Sequence, residues 1–413
     1  MSGNAPEGTG FVGILTPDQT KSLKQLWVAL EEIQEKGTVT IVHSPAPVDP
    51  ASAATASSGW GGGWFGASKE PAVEKPTTLT LSEFDLNAVE LKKMLWDTVL
   101  GDNPDALVLR FLRARKWHVA NGLTMLLNAY KWRKEQNVED VKLLSEDELD
   151  VKYPQLKRQL EMGKFFIHGK DKLGRPIVYL NVHLHKPAAQ DAKTLECMTI
   201  YLMETGRLLL EAPVECVTLV FDLSQFGVGN MDMGLVQFLV KCFEAYYPES
   251  LGIILVHNAP MVFWGFWKII NVWLDPVVAA KVRFTYKPQE LAEDIDADHL
   301  LDTFKGAGLD KFKYEYLGPV PGENDSMKDE ATKATLLGEW SALIAKYNAN
   351  TKAWVKSEDS TIQAERDAIA KELHTHYYKM QPYIRAKTQF HRKDSAGNSV
   401  IQPDGSVKWT YTH

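Results

Sequence analysis

The chain has 413 residues, 53 acidic and 46 basic side chains, a formal charge of −7 and three cysteines. At roughly 100–200 residues per domain it has room for two to four structural units, and its composition, 45% hydrophobic and 24% charged, is that of an ordinary globular protein. The scattered Cys197, Cys216 and Cys242 exclude a disulfide framework and offer no CxxC spacing for zinc or redox chemistry, and the acidic balance argues against a general nucleic-acid binder. The opening MSGNAPEGTG lacks the basic and apolar regions of a secretory signal, and no run of about 18 apolar residues is present to span a bilayer. These features predict a cytoplasmic protein of a reducing compartment.

In chain order, Thr16-Pro17-Asp18 opens a run with Leu23, Leu26, Trp27, Leu30 and Ile33 at helical spacing, closed by Lys36-Gly37. Residues 1–43 therefore read as an N-terminal docking helix. Residues 44–78 collapse to Pro, Ala, Ser, Gly and Thr, the composition of a disordered linker. Gly61, Gly63 and Gly66 in that linker match the GxGxxG spacing, but no strand leads in and Lys-Glu-Pro follows, so the helix N-terminus that holds a pyrophosphate is missing. Trp60, Trp64 and Phe65 are odd for a linker and are candidates to tuck against a membrane or a partner. Residues 79–153 read as helical throughout, with Leu91, Met94 and Leu95, then Leu107, Phe111 and Leu112, then Leu123, Leu126, Leu127 and Tyr130 marking amphipathic faces.

Residues 154–309 have a different texture. Ile177–Val182, Val217–Leu223, Ile253–Val256 and Val282–Tyr286 read as strands, each nearly continuous in Val, Ile, Leu and Phe, hence covered on both faces. Helical stretches lie between them at Lys193–Glu211, Met231–Tyr247 and Pro260–Trp273. The alternation predicts an α/β fold with a mostly parallel sheet. Residues 310–413 read as a C-terminal helical extension, with helices at about Lys328–Ser357 and Thr361–Tyr378. Turn signals at Ser395-Ala-Gly-Asn and Pro403-Asp-Gly mark a terminal hairpin.

Signatures of catalysis are missing: there is no GxSxG, no HExxH and no P-loop, since neither Gly163-Lys164 nor Gly169-Lys170 is followed by Ser or Thr. His183 and His185 share a strand face without an evident third metal ligand and read as the polar rim of a strand. His374 and His376 sit on a solvated helix. Asp222 ends an apolar strand where α/β enzymes often keep an acid, but capping the next loop or accepting a basic partner is the preferred reading. No catalytic residue and no metal ligand is assigned.

Two anomalies remain. Arg110, Arg113, Arg115, Lys116, Lys131, Arg133 and Lys134 are seven basic residues in a stretch without an acid, suited to a phosphate-bearing ligand or an anionic membrane surface unless they are only a solvated face. Met261–Leu274 holds Trp264, Trp267, Trp273, Phe263 and Phe266 on a helix that is apolar nearly all round. Such a helix is either fully buried or has one face on the core and another on lipid.

These residues carry a resemblance. Phe111-Leu-Arg-Ala-Arg-Lys, Lys131-Trp-Arg, Gly174-Arg-Pro, Tyr246-Tyr-Pro-Glu-Ser-Leu-Gly, Asn258-Ala-Pro and Leu274-Asp-Pro-Val resemble, in order, the CRAL-TRIO lipid-binding family over about Leu91–Gly306. Within it the chain is similar to the fungal phosphatidylinositol/phosphatidylcholine transfer branch, with longer termini. The resemblance implies a helical tripod followed by a lobe whose sheet floors a hydrophobic pocket closed by a gating helix, here Pro260–Trp273. Phe263, Trp264, Phe266, Trp267, Ile270 and Trp273 are the implied gate and membrane residues. The family's phosphoinositol headgroup residues correspond to Arg115, Lys116, Glu249 and Lys281, all intact, while a family threonine is Val278 here. The five polar groups of the family's choline-lipid site correspond to Ile167, Val178, Val217, Leu219 and Phe243, all apolar. A choline headgroup there would lose hydrogen bonds at roughly 1–3 kcal/mol for each unsatisfied group.

The implied function is phosphatidylinositol binding and lipid transfer between membranes without covalent chemistry. Phosphatidylcholine binds weakly in this reading, and the second ligand is less polar, such as a sterol, squalene-like or prenyl lipid. The implied protein is a monomer, cytoplasmic and reversibly associated with internal membranes, needs no cofactor beyond bound lipid, and touches no nucleic acid. The alternative is a lipid sensor that presents lipid to a kinase or lipase, with residues 310–413 as the surface for a protein partner.

Overall fold

The computed structural model describes residues 8–42, 75–392, 400–401 and 407–408. The glycines at 61, 63 and 66, the aromatic residues at 60, 64 and 65, and the turn residues 395–398 and 403–405 lie outside them. The first helix, α1 (Pro17–Lys36), begins where the Thr16 hydroxyl accepts from Gln19 N while the Gln19 side chain accepts from Thr16 N, and Pro17 occupies the first turn. It ends at Gly37, whose φ of 74° takes the left-handed form that stops a helix. Leu23, Leu26, Leu30 and Ile33 are buried against α2 (Ala88–Val99), α3 (Pro104–Ala114) and α4 (Val119–Glu135).

Between α1 and α2 the reading of residues 44–78 as linker runs too far. Thr77–Thr80 is a strand, β2, paired antiparallel with β1 (Thr38–Ile41). Threonine-rich composition resembles linker, but here alternation decides. Val39 and Leu79 are buried on one face, while Thr40 and Thr78 share a 2.9 Å hydroxyl contact on the other.

Three short helices follow, α5 (Asp140–Leu143), α6 (Glu146–Lys152) and α7 (Leu156–Glu161). They lead into a five-stranded sheet of β3 (Phe165–Lys170), β4 (Pro176–Asn181), β5 (Val217–Asp222), β6 (Leu251–His257) and β7 (Val282–Thr285), in that spatial order. β3 and β4 are antiparallel and the other neighbours are parallel, so the fold is α/β with a mostly parallel sheet. β3 is missing from the sequence reading because His168, Gly169 and Lys170 interrupt its apolar run. The turn into β4 is built on Asp171, whose carboxylate accepts from the backbone N of Leu173 and Arg175 and from the Arg175 and Thr218 side chains. Gly174 at φ 78° makes that turn fit, so the Gly-Arg-Pro motif is turn chemistry.

The two faces of the sheet differ. Ile177, Tyr179, Val220 and Leu255 pack under Leu291, Ile295, Leu300 and Phe304. The other face holds Val178, Leu180, Val217, Leu219 and Ile254 and is crossed by α8 (Ala192–Leu208), α9 (Met233–Lys241) and α10 (Phe263–Trp273). Both faces are thus covered, as expected, the second less tightly. On the second, Val217 and Ile254 are only partly buried because they border a cavity.

α13 (Glu330–Trp354) and α14 (Ser360–Ile384), counted after short α11 (Pro276–Ala279) and α12 (Pro288–Leu291), form a helical pair. The strands β8 (Val400–Ile401) and β9 (Val407–Lys408) pair antiparallel as the terminal hairpin. The helical pair is not a free arm. Arg366 is buried and holds the Asp105 carboxylate of α3 with both Nη atoms, while the indole of Trp27 donates to Asp105 at 2.7 Å. The rings of Tyr347 and Trp354 lie 4.5 and 4.4 Å from the same guanidinium. Deleting Lys328–Tyr378 would thus strand Asp105 and uncover Trp27 and Trp96.

Asp105→Asn leaves the Arg366 charge buried without a carboxylate and is expected to cost about 3–5 kcal/mol, read as a lowered denaturant midpoint. Glu358→Ala, which removes an exposed partner of Lys24, is the comparison and should cost under about 1 kcal/mol. Equal midpoints for both variants would show that Arg366 does not fasten the extension.

Candidate functional site

The cavity lies between the sheet and α8, α9 and α10, with an empty volume of about 1720 Å³, its open mouth included. Its floor is Val178, Leu180, Val217, Leu219, Phe221 and Ile254. Leu202, Met203 and Gly206 come from α8, Leu235, Val236 and Leu239 from α9, and Phe263, Phe266, Trp267 and Ile270 from α10. Phe263, Phe266 and Ile270 follow helical spacing, so one face of α10 closes the cavity. The opposite face is open and exposes apolar side chains, Val272 at 81% and Ile269 at 48% with Met261 just ahead at 86%, beside the polar Lys268 and Asn271. The sequence left burial and lipid contact open for this helix, and the structure divides the helix between a cavity face and an exposed face.

After α9 the helix widens into a π turn, Cys242–Tyr246, closed by Tyr247 N donating to Cys242 O at 2.7 Å. The wider turn sends Phe243 into the cavity while Tyr246 stacks on Trp132, with centroids 4.2 Å apart. Tyr247 donates its hydroxyl to Glu204 at 2.9 Å, and Arg133 meets the same carboxylate at 2.7 Å. The Lys131-Trp-Arg and Tyr246-Tyr-Pro motifs therefore meet at one joint behind the cavity wall, where Arg207 and Tyr247 also border the cavity. Burial pushes the Glu204 carboxyl up, and Arg133 and Arg207 more than reverse this, holding it well below the usual carboxylate range.

One end of the cavity is polar. Lys164 Nζ donates to Gln159 Oε1 and, at 3.3 Å each, to His185 Nδ1 and Gln190 Oε1. Since an ammonium only donates, His185 carries its proton on Nε2, which donates to Asp232 Oδ2 at 3.1 Å. Burial pulls Lys164 down to about 8 against the opposing charge of Asp232, and burial followed by Lys164 lowers His185. The sequence reading placed His183 and His185 on a strand rim. They stand instead in the turn after β4, where His185 is buried and borders the cavity. No spacing signal could have found this group, because its members come from three separate segments. Asp222 caps its own loop, accepting from Ser224 N at 2.8 Å.

Of the expected wall residues, Val178, Val217, Leu219 and Phe243 border the cavity. Ile167 does not. It faces Val178 across the β3–β4 pair but is covered by α8 at Gly206. Of the expected gate residues, Phe263, Phe266, Trp267 and Ile270 border the cavity, whereas Trp264 lies over Phe284 at 4.8 Å and Trp273 is partly exposed at the helix end.

The seven-residue basic stretch mostly finds acids elsewhere in the chain. Arg110 and Arg113 reach Glu215, Arg133 reaches Glu204, Lys134 reaches Asp85 and Glu90, and Lys131 lies 3.9 Å from Glu135. Among the described residues, Arg115 and Lys116 have no carboxylate partner; both are exposed on the turn that ends α3. The Glu215 contacts press that end of α3 against the N-terminal edge of β5. At the same edge Lys281 Nζ donates to Leu251 O at 2.6 Å, and Glu249 is partly buried just before β6. None of these four borders the cavity itself.

The sequence matches the model of the CRAL/TRIO domain over residues 160–306 and that of the CRAL/TRIO N-terminal domain over residues 22–128. It is similar to a CRAL-TRIO domain-containing protein of Schizosaccharomyces pombe, 39% identical over 305 residues, covering 73% of this chain and 68% of that one. Phosphatidylinositol transfer protein CSR1 of Eremothecium gossypii is 34% identical over 431 residues, with 92% of this chain and 96% of that one covered. Phosphatidylinositol transfer protein PDR17 of Saccharomyces cerevisiae is 27% identical over 218 residues, covering 50% and 58%.

The joint at Glu204 yields a pH prediction. A carboxyl held low in the folded chain contributes stability that is full above its unfolded value and is lost as pH falls toward its folded one. Glu204→Gln should therefore be about 3–5 kcal/mol less stable than the parent at pH 7, and the gap should narrow below about pH 4.5. Denaturant titrations at pH 7 and pH 3.5 check this; a gap that stays constant with pH would refute an ionised Glu204.

Proposed function

This chain belongs to the CRAL-TRIO family, and we propose that it binds phosphatidylinositol and exchanges lipids between membranes through the cavity behind α10. The observation that carries this is the two-sided α10, with an aromatic face on an almost wholly apolar cavity and an outer face that exposes Ile269 and Val272 beside the cationic Lys268. At about 0.8 kcal/mol per buried CH₂, two acyl chains represent tens of kcal/mol, so release into water is negligible. Transfer requires a gate that opens against a bilayer, and the exposed Ile269 and Val272 suit that contact. Binding and exchange involve no covalent step. Among the described residues no helix is long and apolar enough to cross a membrane, which fits a reversible visit to internal membranes from the cytoplasm.

Arg115, Lys116, Glu249 and Lys281 are the proposed headgroup residues. What supports them is the pair of exposed cations without a carboxylate partner, carried by α3 to the strand edge where Lys281 and Glu249 stand. Two or three cations neutralise a phosphate, and a carboxylate accepts from inositol hydroxyls. The four apolar wall residues Val178, Val217, Leu219 and Phe243 favour a second ligand less polar than phosphatidylcholine, such as a sterol, squalene-like or prenyl lipid. The sensor alternative gains nothing from α13 and α14, whose inner faces are occupied by the helical lobe.

Lys116→Ala combined with Lys281→Ala is expected to lower the transfer of labelled phosphatidylinositol between vesicles by at least about 10-fold, the loss of one or two charge-assisted contacts. Transfer at the parental rate would remove the headgroup assignment. Mass spectrometry of lipid extracted from the purified protein should find phosphatidylinositol and little choline lipid. Abundant phosphatidylcholine would overturn the reading of the apolar wall.

A further inference from the structure

The polar end of the cavity is not used by the function above. Lys164 is 1% exposed and borders the cavity, yet the groups its ammonium touches are the neutral side chains of Gln159, His185 and Gln190. The carboxylate of Asp232 is reached only across the imidazole of His185, which donates to it from the far nitrogen. A buried cation is ordinarily in direct contact with a carboxylate, because desolvation costs more than neutral acceptors return. Among the described residues no carboxylate touches the ammonium, and the space beside it is an apolar cavity.

We propose that the cavity also accepts a long-chain monocarboxylate, its apolar chain along the sheet and its carboxylate on Lys164 Nζ. The placement fits the topology. Asn181, which borders the polar end, pairs with Asp222 at the C-terminal edge of the sheet, while Val217 borders the cavity at the N-terminal edge. The five residue steps from Val217 to Asp222 span about 17 Å, room for a long chain laid over Leu219 and Phe221. The two 3.3 Å contacts of Lys164 are the weak ones that carboxylate oxygens displace, while Asp232 keeps His185 in position. The ligand's polar end is thus held at the opposite edge from the proposed phosphoinositol residues. The inference rests on the reading of the cavity as a lipid site, but requires a different chemistry at its end.

Equilibrium binding of radiolabelled oleate and oleyl alcohol, which share a chain and differ in the charge of its end, tests the proposal. The parent should prefer oleate by about 10-fold or more, and Lys164→Met should bring the two within about 2-fold. Equal binding of both by the parent, or a preference kept by Lys164→Met, overturns it. Should Lys164→Met fail to fold, the parent's preference measured from pH 7 to 10 decides instead. Lys164 loses its proton above about 8, and the charged or titratable groups around it are His185, lowered by burial and so neutral in this range, Asp232, and Lys186 beyond the imidazole. The preference should decline across that range, and a flat profile overturns the proposal. Phosphatidylinositol transfer is measured with the same preparation. Transfer without an oleate preference defeats the monocarboxylate site alone, and the absence of both defeats the lipid cavity as well.

Discussion

A carboxylate taken out of water stays ionised only if cations come inside with it, and Glu204 shows how much structure this requirement organises. Its α8 helix lies over the sheet; Arg133 arrives from the N-terminal helices, Tyr247 from the end of the π turn, and Arg207 from one turn further along α8. Arg385, at the end of the C-terminal helical pair, donates to the Glu204 backbone carbonyl at 3.4 Å. Two cationic side chains gather at one carboxylate and a third holds the carbonyl of the same residue, each from a different stretch of chain. The helical lobe and the cavity wall are therefore joined at one buried residue, which the extension reaches as well. The cavity inherits its rear wall from that joint, since Arg207 and Tyr247 face both.

The same joint explains why family-like motifs are dense here. Trp132 and Tyr246 stack because Arg133 and Tyr247 must reach Glu204 together, and the π turn is the backbone device that lets Tyr246, Tyr247 and Phe243 point three ways. Two of the motifs, Lys131-Trp-Arg and Tyr246-Tyr-Pro, thus build an internal junction. On the cavity side the wall beside that junction is mostly carbon.

Legibility followed the range of the interaction concerned. Helices with a regular apolar face, such as α1, and strands that are continuous apolar runs, such as β5 and β6, announce themselves within ten residues. β3 and β2 do not, because one is interrupted by His168-Gly169-Lys170 and the other is threonine at the end of a linker-like stretch. Charge is the least legible quantity of all. The seven basic residues of Arg110–Lys134 looked like a patch, yet Glu215 and Glu204, far along the chain, neutralise three of them. The polar corner around Lys164 was hidden for the same reason, since Lys164, His185 and Asp232 stand far apart in the sequence and no local spacing joins them. The wall residues could be read because their character is intrinsic to each side chain; Ile167 failed because its cover comes from Gly206.

The ion pair between Asp105 and Arg366 joins residues 261 positions apart. A ribosome adding about 5–20 residues per second makes Asp105 roughly 10–50 s before its partner. Throughout that interval α1 and α3 exist without the two helices that cover Trp27 and Trp96. The helical lobe is first in the chain and last to be completed, so a nascent chain carries an unfinished apolar surface until near the end of its synthesis. A premature stop anywhere before α14 yields a polypeptide whose N-terminal half cannot close on itself, and such a product should fall to the cell's chaperones and proteases rather than persist as a working fragment.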